Sequence, residues 1–212
     1  HLETDVDLLT ASAVNMYLSE SDGLTVGTLG MQFNLLNPDA TVTVSDIADR
    51  SGLLAATNGN IVLISTTGDL IIADDVTAAG TGNVLLQATI GSITQNNAID
   101  GGSGHISLVS GVDYTQKAGI STTGVGTIDM QAGGGIAMDD GVVTSADANI
   151  RLVAAGALSL GSVMTGADVS LSASSISDSG TSDTDVSADE LRIVSTGTAD
   201  GEGAGGSGNH LE

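Results

Sequence analysis

One phrase recurs along this chain at a nearly constant interval, and that recurrence limits the fold more than any other feature. "GNIVLISTTGDLIIAD" at Gly59 returns as "GNVLLQATIGSITQN" at Gly82, "GHISLVSGVDYTQK" at Gly104 and "GTIDMQAGGGIAMDD" at Gly126. It returns again as "ANIRLVAAGALSLG" at Ala148, "ADVSLSASSISDSG" at Ala167 and "DELRIVSTG" at Asp189. The first apolar residues of these units are Ile61, Val84, Ile106, Ile128, Ile150, Val169 and Leu191, spaced 23, 22, 22, 22, 19 and 22 apart. Self-similarity at such a period is the signature of a solenoid.

Within each unit the positions hold their character. Two residues on stand Leu63, Leu86, Leu108, Met130, Leu152, Leu171 and Ile193, and two further on the small residues Ser65, Ala88, Ser110, Ala132, Ala154, Ala173 and Ser195. Alternation with period two places these three columns on one face of a strand. The column between them (Val62, Leu85, Ser107, Asp129, Arg151, Ser170, Arg192) accepts charge and therefore points outward. A second strand is marked by Leu70, Ile93, Tyr114, Ile136 and Leu158, and a third by Val76, Ile99, Ile120, Val143 and Val163. Three short strands per roughly 22 residues, broken by Gly, Asn, Asp, Ser and Thr, describe one coil of an all-β parallel β-helix. A β-sandwich could use similar strands but would not keep column identity through seven units.

Composition agrees with thin, repeated layers. Tyr17, Phe33 and Tyr114 are the only aromatic residues, Pro38 is the only proline, and 30 residues are glycine. Residues 59–197 are read as regular coils and residues 1–58 as irregular first coils. "DGLTVGTLG" at Asp22 matches "GALSLGSVMTG", which aligns Leu24 with Leu158 and makes Met16 a unit start with Leu18 inward. A longer irregular coil is expected through "MQFNLLNPDATVTVSD", with Pro38 at a corner and Val42 and Val44 inward. Residues 4–13 suit a short helix, a loop or a strand, "TDVD" being a weak capping motif. Residues 198–212 read as a Gly-rich linker or the start of a next repeat, since "HLE" at His1 returns at His210; a cloning remnant explains the same letters.

Twenty-six acids stand against Arg50, Lys117, Arg151 and Arg192, a net charge of −22. That excludes nucleic acid, which needs a basic footprint, and anionic membrane surfaces. No apolar run reaches the roughly 18–20 residues of a membrane span, and cysteine is absent. Without an initiator Met or a signal peptide, the chain reads as a piece of something longer.

Little in the sequence resembles a reactive site, and no catalytic or cofactor-binding residue is assigned. β-Helical enzymes that cut acidic polysaccharides need converging carboxylates or a base, and usually aromatic platforms. Here the basic residues are scattered and the aromatics do not cluster. Calcium takes hard oxygen ligands, and the weak candidates for it are the corner pairs Asp74–Asp75 and Asp139–Asp140 and the run Asp178, Asp183, Asp185, Asp189. The calcium-binding nonapeptide is missing, because "GGSGHISLV" has Ile106 where that motif has its acid. His1, His105 and His210 are too sparse for zinc. Asn60, Asn83 and Asn149 share one corner column and are expected to form a structural ladder. Lys117 and Asp139 hold equivalent positions in successive coils, a surface pairing worth about 0–1 kcal/mol.

The repeated phrases, together with "LETDVDLLTASAVNMYLSESDGLTVG", resemble the repeat regions of filamentous-haemagglutinin-like adhesins, very large bacterial surface and secreted proteins. The resemblance covers about Leu2 to Gly197. It implies a right-handed parallel β-helix, exported to the cell surface or medium, that forms the shaft of a fibre. Its expected partners are neighbouring copies or modules stacked end to end. A glycan- or protein-binding adhesin module is the other reading.

Overall fold

The computed structural model describes residues 1–180, 184–197 and 203–205. All regular structure among them is β-strand: a parallel solenoid whose strands fall into three sheets, and one two-stranded antiparallel sheet outside it. The first sheet stacks nine strands: Leu2–Thr4, Met16–Glu20, Ile61–Ser65, Val84–Ala88, Ile106–Ser110, Ile128–Ala132, Ile150–Ala154, Asp168–Ala173 and Glu190–Ser195. The second and third sheets stack eight strands each, contributed in turn by the same coils. Among the described residues there is no helix long and apolar enough to cross a membrane.

The columns read from the sequence are the columns of the structure. Met16, Ile61, Val84, Ile106, Ile128, Ile150, Val169 and Leu191 pair in unbroken register, and all but Leu191 are buried. Leu24, Leu70, Ile93, Tyr114, Ile136, Leu158 and Ile176 do the same in the second sheet. Each inward side chain lies between its counterparts above and below, so the interior is a set of aliphatic ladders one residue thick. Polar residues entering it are bonded there. The Tyr114 hydroxyl donates to Gln95 Oε1 at 2.7 Å, and Gln116 Nε2 donates to Thr144 Oγ1 at 2.9 Å.

Three expectations need correction. Of the alternatives for residues 4–13 the helix is wrong and the strand is right: Leu8–Leu9 and Ala11–Ala13 are short strands of the second and third sheets, held by the coil above them. Thr144, not Val143, takes the inward place next to Ile120. Five residues separate Met138 from Thr144, against three between Gln116 and Ile120. The following corner is shorter by the same two residues, so the constant spacing of 22 concealed the change. The third correction is larger. Thr28–Leu36 and Val42–Ser51 are no coil but an antiparallel hairpin whose strands pair only with each other, with Pro38 in the tip. Val42 and Val44 are 59% and 60% exposed. β-Strand alternation is the same in a hairpin as in a coil, so the pattern alone did not separate them.

Tight stacking at the third corner depends on glycine. A Cβ on Gly82 would stand 1.9 Å from the Gly59 carbonyl oxygen, one on Gly104 1.9 Å from that of Gly82, and one on Gly126 2.3 Å from that of Gly104. Just before them, Gly80, Gly102 and Gly124 have φ of 71°, 55° and 61°, the left-handed region that costs other residues energy.

Candidate functional site

The outer face of the first sheet holds the surface features with most chemical variety. Its edge column runs Asn15, Asn60, Asn83, His105, Thr127, Asn149 and Asp168, one residue before each inward apolar position. The expected ladder forms, mostly through side-chain oxygens accepting from backbone, with one amide-to-amide bond from Asn60 Nδ2 to Asn15 Oδ1 at 3.5 Å. Asn60 N–H donates to Asn15 Oδ1 at 2.9 Å, Asn83 N–H to Asn60 Oδ1 at 2.9 Å, and His105 N–H to Asn83 Oδ1 at 2.8 Å. His105 Nδ1 then accepts from the Thr127 N–H at 3.2 Å, and Asn149 Oδ1 from the Asp168 N–H at 3.2 Å. A side chain that satisfies the next coil's donor fixes the vertical register of the corner.

Beside this ladder lie two open depressions. One, of about 380 Å³, is lined by Tyr17, Val62, Leu85 and His105 among others. The other, of about 560 Å³, is lined by Asp129, Asn149, Arg151, Asp168, Ser170, Glu190 and Arg192 with the strand residues between them. In the larger one Arg151 forms a two-point pair with Asp129, Nε to Oδ1 at 2.8 Å and Nη2 to Oδ2 at 2.8 Å. Gln131 Nε2 donates to the same carboxylate at 2.8 Å. Partial burial works against the Asp129 charge, but the Arg151 and Gln131 hydrogen bonds and the guanidinium's charge outweigh it and hold the carboxyl below its usual range. The same pairing raises Arg151. Arg192 donates to Ser170 Oγ at 3.2 Å. Fixed donors and acceptors repeated at the rung interval, about 4.8 Å, suit an extended polar chain lying along the sheet.

Two of the four basic residues, Arg151 and Arg192, thus line one groove and are not scattered. The signal was in the sequence: both occupy the outward column of the first strand, two coils apart. Lys117 and Asp139 do follow one another on the same corner, yet among the described residues they form no ion pair.

Among the described residues, no three of the calcium candidates converge on one point. Asp74 and Asp75 sit at the corner between second and third sheets, where Asp74 accepts from Thr28 Oγ1 at 2.7 Å and Asp75 from the Ala98 N–H at 3.2 Å. Asp139 and Asp140 are exposed at the corresponding corner three coils further on. Of the third candidate group, Asp178 accepts from the Gly180 N–H at 2.7 Å, Asp185 is buried, and Asp183 lies outside the described residues. The acids that do converge are Asp5, Glu20 and Asp22, with ligand atoms within 4.8 Å of one another. Glu20 stands in the column of small residues, paired with Ser65, and is fully buried. Its carboxylate is already engaged by the Thr4 hydroxyl, the Val6 N–H at 3.2 Å and the Ser21 N–H at 3.0 Å. Calcium asks for roughly six to eight oxygens, and the donors around Glu20 make this cluster a local tie between the first two rungs. Counting four residues on from Met16 would have found Glu20. No protein-family model matches the chain, and no curated protein or solved structure is detectably similar to it.

Proposed function

We propose that this chain is a structural module, a length of β-helical shaft in a large extracellular adhesin or filament of the filamentous-haemagglutinin-like kind. Its work is geometric: it holds an attachment surface away from the cell, and it continues the rod by stacking on neighbouring modules. The observation that carries this reading is the state of the end rungs. The inward columns run into both terminal strands, where Leu2 is 62% exposed, Leu191 47% and Ile193 38%. Among the described residues no helix lies over either end. The first sheet's two terminal strands leave parallel edges with apolar columns, which are templates for a further strand, while at the carboxyl end Ala204 pairs with Ile176 on the edge of the second sheet.

The test is sedimentation and electron microscopy of the 212-residue chain over a concentration series. Linear species that lengthen with concentration and shorten in L191E/I193E support the shaft. A chain that stays discrete at all concentrations counts against it. An immunoblot of surface and medium fractions adds the native size, where a band many times the length of this chain is expected.

The larger groove favours a second reading, binding of an extended glycan or peptide along the first sheet. Binding to a glycan array that is lost in R151M/R192M but kept in chelator would support it, with calcium dependence arguing for the acidic corners instead.

A further inference from the structure

The hairpin is an insertion into one corner of the solenoid. Other corners between the second and third sheets, such as 73–75, 96–98 and 117–119, use three residues, whereas here the chain leaves at Gly27 and returns at Gly52. The two glycines close the coil by themselves, the Gly52 N–H donating to the Gly27 carbonyl at 3.1 Å. Nothing in the solenoid's winding requires the residues between them.

Residues opposite each other in an antiparallel pair share a face. The register therefore places Met31 with Ile47, Phe33 with Ser45 and Leu35 with Thr43 on one side. From Met31 to Leu35 that face carries no charge, in a chain whose net charge is −22, and the nearest charge on it is Arg50, opposite Leu29 at the base of the hairpin. Met31, Phe33, Leu35 and Ile47 are 51%, 47%, 52% and 47% exposed, so each is covered on its hairpin side only. The opposite face also exposes Leu36, Val42 and Val44, but Gln32, Asn34 and the charged Asp46 share it, so the Met31 face is the continuous apolar one. A two-stranded hairpin is marginal in water and gains its stability from what it packs on.

We infer that this face is a self-association surface, and that two copies of the chain pair hairpin to hairpin about a two-fold axis. The area argues for this occupant. At about 200 Å² per large residue, the four exposed apolar side chains offer roughly 400 Å² per copy. With Thr43 and Ser45, two hairpins bury about 1000 Å², the lower bound of a specific interface. An isologous contact needs one self-complementary patch, which an uncharged face supplies without like-charge conflict. The acidic bodies repel one another, so the pairing is reversible and strengthens as salt screens that repulsion.

Sedimentation velocity of the full chain tests this. In the L191E/I193E background, where end stacking is broken, the expected result is a monomer–dimer equilibrium that stops at two, with its midpoint moved to at least tenfold higher concentration when M31T/F33T/I47T is added. Threonine keeps strand preference while removing the apolar face. Excising Thr28–Ser51 and joining Gly27 to Gly52 through one serine restores a three-residue corner and abolishes the dimer. Added salt tightens this dimer. An L191E/I193E chain that is monomeric at every concentration overturns the inference. So does a dimer undiminished in both hairpin variants, or a hairpin that captures a different protein while the chain itself stays single.

Discussion

Replacing Gly104 with alanine should damage this protein far more than the loss of a glycine usually does. The new Cβ would lie 1.9 Å from the Gly82 carbonyl oxygen, where ordinary contact begins at 3.4 Å. The obstacle is backbone one rung below, so no side-chain rotation relieves it, and the two rungs must separate by about 1.5 Å out of a spacing near 4.8 Å. That opening strains the bond from the His105 N–H to Asn83 Oδ1, now 2.8 Å, and from the Val84 N–H to the His105 carbonyl, also 2.8 Å. Overpacking costs about 1–3 kcal/mol, and each weakened hydrogen bond adds roughly 1 kcal/mol. A total of about 3–5 kcal/mol lowers the melting temperature by roughly 6–20 °C in a chain of this length. Gly166 is the control, since a Cβ there meets nothing within 4 Å and its φ is not left-handed. Gly166→Ala should be neutral or stabilising by up to about 1 kcal/mol. Thermal unfolding followed by circular dichroism measures both, and amide exchange should show faster opening at Val84 and His105 in the Gly104 variant. If the two substitutions shift the transition equally, the backbone-contact argument is wrong.

Tyr114→Phe removes the donor to Gln95 Oε1 and leaves a buried acceptor bare, so urea unfolding should register a loss of about 1–3 kcal/mol. Burial raises the Tyr114 phenol far above its usual range. The unfolded chain therefore releases this proton first, the stabilisation is complete below about pH 10, and it is lost as pH rises beyond that. Alkaline titration should show one tyrosine ionising only as the strand signal disappears. Asp129→Asn should cost no more than about 1 kcal/mol because its Arg151 partner is exposed. Its contribution is present above the ordinary Asp range and lost as pH falls through the depressed value, so wild type and variant should converge in acid. Asn83→Ala deprives the His105 N–H of its acceptor and should cost about 0.5–1.5 kcal/mol in the same urea assay.

The coils were legible because each residue choice is repeated against the same neighbour, so a column averages over many rungs. Ile61, Leu63 and Ser65 announced a strand face that Met16, Leu18 and Glu20 then continued. Reading failed where the averaging stopped. Val143 and Thr144 are both β-branched, and with two compensating changes of corner length only the pairing partner distinguishes them. The hairpin occurs once, and alternation in "MQFNLL" and "TVTV" does not say whether its apolar side meets a core. The groove was missed for a different reason. Arg151 and Arg192 were weighed by their separation along the chain, whereas in a solenoid the distance that matters is the number of rungs. Asp5, Glu20 and Asp22 converge through a first coil too irregular to index.

Rung spacing also determines how this molecule meets its solvent. Nine rungs at about 4.8 Å make a rod about 43 Å long. The described residues of the solenoid, outside the hairpin, carry 19 acids against Lys117, Arg151 and Arg192, a net charge of −16. Over that length this is one charge in about every 2.7 Å, against one per roughly 1.7 Å of duplex DNA. A line of charge so dense behaves as a polyelectrolyte and gathers a counterion cloud that follows the whole rod. Cations held this way need no coordinating pocket, exchange freely, and are displaced by valence and concentration. Any partner of opposite sign that lies along the shaft will draw part of its affinity from releasing them.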